Sequence, residues 1–171
     1  MSKKKTLIIL ISIILGGIGI DLLTKLLVAG LMTLGQSVPL IPGVLNLTYI
    51  HNKGAAFGML SEHRWVFMVI STVAIIGIGI YLFGFCKERM LLKVGLAMIV
   101  SGGLGNMVDR IFYGYVIDMI DFCLFPFWKW IFNVADAFVC VGAGVVVLSL
   151  VLDIIKETRN KKKTKEKDEN K

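Results

Sequence analysis

The sequence predicts an all-α integral membrane protein, a four-transmembrane-helix bundle with a small extracytoplasmic β element. Three observations predict it. Of the 171 residues, 56% are hydrophobic, and the mean hydropathy is +0.79, well above that of a soluble domain of this length. Apolar runs recur at about the 20 residues a helix needs to cross the hydrocarbon core. Lys and Arg gather at 3–5, 87–93 and 156–171, flanking those runs as the positive-inside bias requires. A net charge of +7 distributed in this way marks span boundaries, and no nucleic-acid partner is expected.

The first span covers about 6–31. It resembles a signal peptide, but no clear small-x-small cleavage site follows. Its apolar run also continues past Asp21 and Lys25, so it reads as a retained span. The second, 65–85, carries no charge and reads as lipid-facing scaffold. The third and fourth cover about 91–113 and 132–152. The basic clusters then put both termini in the cytoplasm and leave 35–64 and 114–131 outside. Trp65, Tyr113, Tyr115, Trp128 and Trp130 fall at the outer ends, where interfacial aromatics belong.

In the first outer segment, Pro39, Pro42 and Gly43 precede VLNLTYIH, a roughly alternating β-branched and aromatic run. It reads as a strand on the outer membrane surface. Residues 1–155 form one membrane-embedded domain. The tail, 156–171, mixes both charge signs without aromatics and reads as a disordered cytoplasmic end that can touch anionic phospholipid. Cys86, Cys123 and Cys140 have neither metal-ligand nor disulfide-framework spacing, and His51 and His63 lack an HExxH context. No metal site is expected.

The polar residues of the spans fall in one layer. On a rise of 1.5 Å per residue, Asp21 lies roughly 24 Å beyond Lys5. Asn106, Asp109 and Arg110 lie roughly 20–26 Å beyond Lys93, and Asp136 about 26 Å from Asp153. Asn52 and Asp118 flank the same layer from the outer segments. Asp21 and Lys25 are i, i+4 and can pair, and Asp109 and Arg110 read as a second bracing pair. Asn133 and Asp136 are i, i+3. Gly102, Gly103 and Gly105 suit close helix packing. Asp121 reads as a plain loop carboxylate, and Asp153 as a helix end.

Those pairings leave Asp118 and Asp136 without a basic partner. Two half-buried carboxylates favour sharing one proton, because repulsion and low dielectric raise one pKa. One can then activate water while the other stabilises an oxyanion. A Ser101–Lys25 dyad fits worse, since Lys25 has Asp21 beside it and Ser101 lies deeper. An ion pathway would need polar groups through the full depth, and the inner halves of the spans are almost purely apolar.

The motifs DLLTK (21–25), NKGAAF (52–57), SGGLGNMVDR (101–110), VIDMIDF (116–122) and FNVADAF (132–138) occur in an order that resembles the lipoprotein signal peptidases, or type II signal peptidases. The resemblance implies four transmembrane helices and a β-cradle on the outer face. It implies a bacterial aspartic endopeptidase that cuts prolipoproteins before a diacylglyceryl-modified cysteine and is the target of globomycin. On it, Asp118 and Asp136 match the catalytic pair, and Asn52, Asn106, Arg110 and Asn133 match polar residues around the site. Asp21, Lys25, Gly54 and Asp109 match bracing positions, and Ala135 with Ala137 would leave room for the peptide. Ser101 and Gly103 stand where the family usually has Gly and Ala, and Met119 where Phe is common. The expected setting is the bacterial cell membrane, with the site near the outer leaflet, membrane phospholipids around a monomer, and no cofactor.

Overall fold

A computed structural model describes residues 2–54, 64–86, 89–124 and 130–169. Trp128, Lys87, residues 55–57 of the NKGAAF stretch and the side chain of Trp65 lie outside the described residues. Four helices form as the apolar runs require: α1 (Lys3–Leu31), α2 (Arg64–Ile80), α3 (Met90–Phe112) and α4 (Val134–Glu169). A π-helical turn at Tyr81–Phe85 extends α2. All four are long and apolar enough to cross a membrane.

Helix α3 is the centre of the bundle. It packs against α1, α2 and α4, and half of its most apolar stretch is buried, far more than in the other three. Its glycines explain why. A Cβ on Gly102 would strike the backbone at Ala135 of α4, one on Gly103 would lie 2.7 Å from Ile75 of α2, and one on Gly105 would lie 2.7 Å from the Asp21 carboxylate of α1. Three positions thus admit three neighbours at backbone distance, the small-residue packing that replaces hydrophobic force inside lipid. Leu10, Ile14, Ile75, Leu82, Leu92, Leu96, Ala97 and Val100 fill the space between the helices on the side away from the polar layer.

The chain is not all-α. A four-stranded antiparallel sheet, ordered β1 (Ser37–Ile41), β2 (Leu45–Asn52), β3 (Val116–Phe122) and β4 (Ile131–Phe132), closes one end. The VLNLTYIH run supplies β2 as expected. The segment expected as a loop around Asp118 is instead β3, paired with β2 from Leu45↔Phe122 to Asn52↔Val116. Two carboxylates in VIDMIDF hide an otherwise β-branched and apolar strand. Gly114, at φ 76, makes the tight reversal from α3 into it. Tyr49, Ile117 and Met119 seat the sheet on Val28 of α1.

Helix α4 starts at Val134 rather than 132, and it does not stop at 152. It runs to Glu169 through the tail expected to be disordered. That tail is rich in Lys, Glu and Arg and free of Gly and Pro, a composition that carries helix outward from a formed span. Asp153 is more than a helix end, since it accepts an ion pair from Arg89 at 2.8 Å across the α3–α4 contact.

Candidate active site

The start of α4 sets the geometry. Asn133 caps the helix: its Oδ1 accepts from the Asp136 N–H at 2.9 Å, while Asp136 Oδ2 accepts from the Asn133 N–H at 3.3 Å. This is a reciprocal capping box, with Asp136 in its third helical position. Asp21 of α1 reaches the same helix end, where its Oδ1 accepts from the Ala135 N–H at 2.8 Å. Two orphan donors of the first turn are thereby satisfied by carboxylates, at the end of a helix that favours negative charge.

Behind this lies a buried ion triad. Lys25 Nζ contacts Asp21 Oδ2 at 2.7 Å and Asp109 Oδ2 at 2.9 Å, and all three residues are 1% exposed. The expected Asp21–Lys25 pair is present. The expected Asp109–Arg110 pair is not what braces Asp109, because successive helix residues point to different faces. Asp109 takes Lys25 and also the Ile117 N–H of β3, at 3.1 Å. Arg110 instead donates to the Asn106 carbonyl at 3.2 Å, and its charge acts first on Asp136, then on Asp118 and Asp109.

Three asparagines hold the two remaining carboxylates, and two of them connect the pair. Asn133 Nδ2 donates to Asp118 Oδ1 at 2.6 Å and to Asn106 Oδ1 at 3.1 Å. Asn106 Nδ2 donates to Asp136 Oδ1 at 2.7 Å, and Asn52 Nδ2 donates to Asp118 Oδ2 at 2.9 Å. Each amide oxygen is held by a donor that cannot be anything else: Lys25 Nζ on Asn106, the Asp136 N–H on Asn133, and the Gly54 N–H on Asn52 at 3.0 Å. The amides therefore turn their NH₂ groups toward the carboxylates, and no alternative flip satisfies the same partners.

Asp118 is 1% exposed. Burial pushes its carboxyl up to about 6, and the neighbouring charge of Asp136 adds to that, while the amides of Asn52 and Asn133 oppose it. Asp136 is half-buried. In the surroundings of the pair, four carboxylates (Asp21, Asp109, Asp118, Asp136) meet two cations (Lys25, Arg110).

All eleven residues singled out from the sequence that bear on the site come into one network. Ala135 differs from expectation in its role. It is 1% exposed, wedged against Gly102 and Gly105, so the room beside it belongs to α3. Asp121 is held within the sheet, accepting from Thr48 Oγ1 at 2.9 Å. Ser101 donates to the Ile14 carbonyl at 2.9 Å, which commits its hydroxyl to the α1–α3 contact and away from Lys25. Sequence reasoning missed a cavity of about 180 Å³ beside Asn106 and Arg110, lined also by Met68, Ser71, Gly103, Met107 and Val139. Its only trace in the sequence is that Gly103, Asn106, Met107 and Arg110 share one helical face.

Fold and site together define a multi-pass membrane protein with an amide-bridged carboxylate pair where its helices meet a small sheet. The family described as signal peptidase (SPase) II matches residues 8–152. A lipoprotein signal peptidase of Halalkalibacterium halodurans is 41% identical over 142 residues, covering 83% of this chain and 91% of that one. One from Brevibacillus brevis is 42% identical over 136 residues, covering 80% and 90%. A solved structure described as a bacterial membrane enzyme, determined by the in meso method at 2.3 Å resolution, superposes with a TM-score of 0.79 at 31% identity, covering 85% of this chain and 88% of that one. The chain belongs to the signal peptidase II family.

Proposed function

We propose that this protein removes the signal peptide from prolipoproteins, cutting before the diacylglyceryl-modified cysteine as an aspartic endopeptidase of the membrane. In this scheme Asp118 carries the shared proton. Asp136, at a helix end that favours negative charge, accepts a proton from water while the water oxygen bonds to the scissile carbonyl carbon. Asp118 donates to the oxyanion as it forms. Collapse of the tetrahedral intermediate breaks the C–N bond: Asp136 passes the proton it took from water to the leaving amine of the cysteine, and Asp118 recovers its own from the hydroxyl as the new carboxyl forms. The two carboxylates and water suffice for every step.

The observation that carries this reading is the chain Asp118–Asn133–Asn106–Asp136, in which a carboxyl pushed up to about 6 is tied through two amides to a second carboxylate. The substrate's acyl chains would stay in the outer leaflet, and its signal helix would approach from within the bilayer. Purified protein incubated with a diacylglyceryl-modified prolipoprotein should convert it to the shorter form on a gel. Asp118→Asn and Asp136→Asn should each lower the rate by about 10²–10⁴-fold, the scale of a lost acid or base. Normal cleavage by either variant would remove that residue from the mechanism.

A further inference from the structure

The two proposed catalytic carboxylates sit on different elements, Asp118 on β3 and Asp136 in the first turn of α4. No short covalent link fixes the distance between them, so packing must. Asp21 and Asp109 approach the pair in the same way. Asp21 Oδ1 accepts from the Ala135 N–H at 2.8 Å, and Ala135 immediately precedes Asp136. Asp109 Oδ2 accepts from the Ile117 N–H at 3.1 Å, and Ile117 immediately precedes Asp118. Each grip therefore lies one residue, about 3.8 Å between Cα atoms, from a carboxylate of the pair.

Lys25 joins the two grips. Its ammonium has three N–H donors, and it meets Asp21 Oδ2 at 2.7 Å, Asp109 Oδ2 at 2.9 Å and Asn106 Oδ1 at 3.1 Å. The first contact leads to the start of α4, the second to β3, and the third to the amide that holds Asp136. Gly105 leaves room for the first, since a Cβ there would lie 2.7 Å from Asp21 Oδ2. A buried ion cluster adds little stability over well-packed apolar residues, so charge pairing alone does not account for this one. Apolar groups, however, could not grip two backbone N–H groups. We infer that Lys25 is a positioning residue that, with Asp21 and Asp109 as arms of fixed length, sets the separation at which Asp118 and Asp136 share one proton. The inference rests on the peptidase function proposed above.

The test sets arm length against charge, in full-length protein acting on a diacylglyceryl-modified prolipoprotein. Asp109 suits it, because one oxygen, Oδ2, serves both Lys25 and Ile117, while Oδ1 has no hydrogen-bond partner among the described residues. Asp109→Asn thus keeps the arm's length and its accepting oxygen and removes only the charge. Asp109→Glu keeps the charge and adds one methylene. A misplacement of about 1 Å costs about 10²-fold in rate, so Asp109→Glu should lower kcat by about that factor and leave KM within about twofold. Asp21→Glu should do the same through α4. Asp109→Asn should stay at least about tenfold faster than Asp109→Glu. Unchanged kcat in either Glu variant, or an Asn variant as slow as its Glu counterpart, would overturn the inference. Unfolding temperatures in detergent show whether each variant folds. Where Asp109→Glu does not, Asp109→Asn decides alone: kcat within about tenfold of the unaltered protein supports the arm, and a larger loss overturns it. Failure of the unaltered protein to cleave would instead overturn the peptidase reading itself.

Discussion

Asp118 and Asp136 differ in what surrounds them, and the difference predicts a pH profile. Asp118 keeps its proton below about 6 and loses it as pH rises past that value. In the mechanism proposed above the pair needs one proton, so kcat/KM should fall on the alkaline side with a midpoint of about 6. The Asn52 N–H favours the charged form of Asp118, so Asn52→Ala should raise that pKa and move the alkaline limb to higher pH. A limb that stays in place or moves down would show that Asn52 does not act on the titrating group. At this scale much was legible. Depth alone put Asp21, Asn106, Asp109 and Asp136 in one layer, since a polar side chain in a span must find polar company. Partner choice was not legible, because Asp109 selects Lys25 across two helices and sequence spacing reports only neighbours on one.

At the scale of elements, α1 and α3 are joined by a charge that neither can hold alone. Lys25 stands between two buried aspartates. Lys25→Met should cost about 3–5 kcal/mol, because it strands two carboxylates in the interior. It would appear as a lower unfolding temperature in detergent, with the loss recovered in part by adding Asp109→Asn. By contrast, Arg89→Ala should change stability by under about 1 kcal/mol, since both partners of that pair are more than a third exposed. The helices were readable from length and hydropathy. Strand β3 was not, because two aspartates broke the apolar pattern that would have marked it. Pairing with β2 and β4, set by distant sequence, reveals VIDMIDF as a strand.

Over the whole molecule, the buried polar network among the described residues gathers at one end. The sheet, the triad and the amide bridge lie there, while the Arg89–Asp153 pair and the α4 extension lie at the other. We propose, from the basic clusters, that this second end is cytoplasmic. A reporter that works only in the cytoplasm should therefore be active when fused after Lys171, and silence from a stably made fusion would reverse the orientation. The charge pattern carries this orientation as an expectation. It gave no sign that the tail would remain helical, since mixed charge is compatible with either state until a formed span nucleates it.

The oxygen of Asp136 that closes the turn on the Asn133 N–H belongs to the same carboxylate proposed to handle water. Deleting that side chain therefore erases two things at once, a reagent and a punctuation mark of the fold. A dead Asp136→Ala protein would be ambiguous for that reason, whereas Asp136→Asn still offers an oxygen to the backbone. An inert form that captures its uncut substrate for imaging should carry asparagine there.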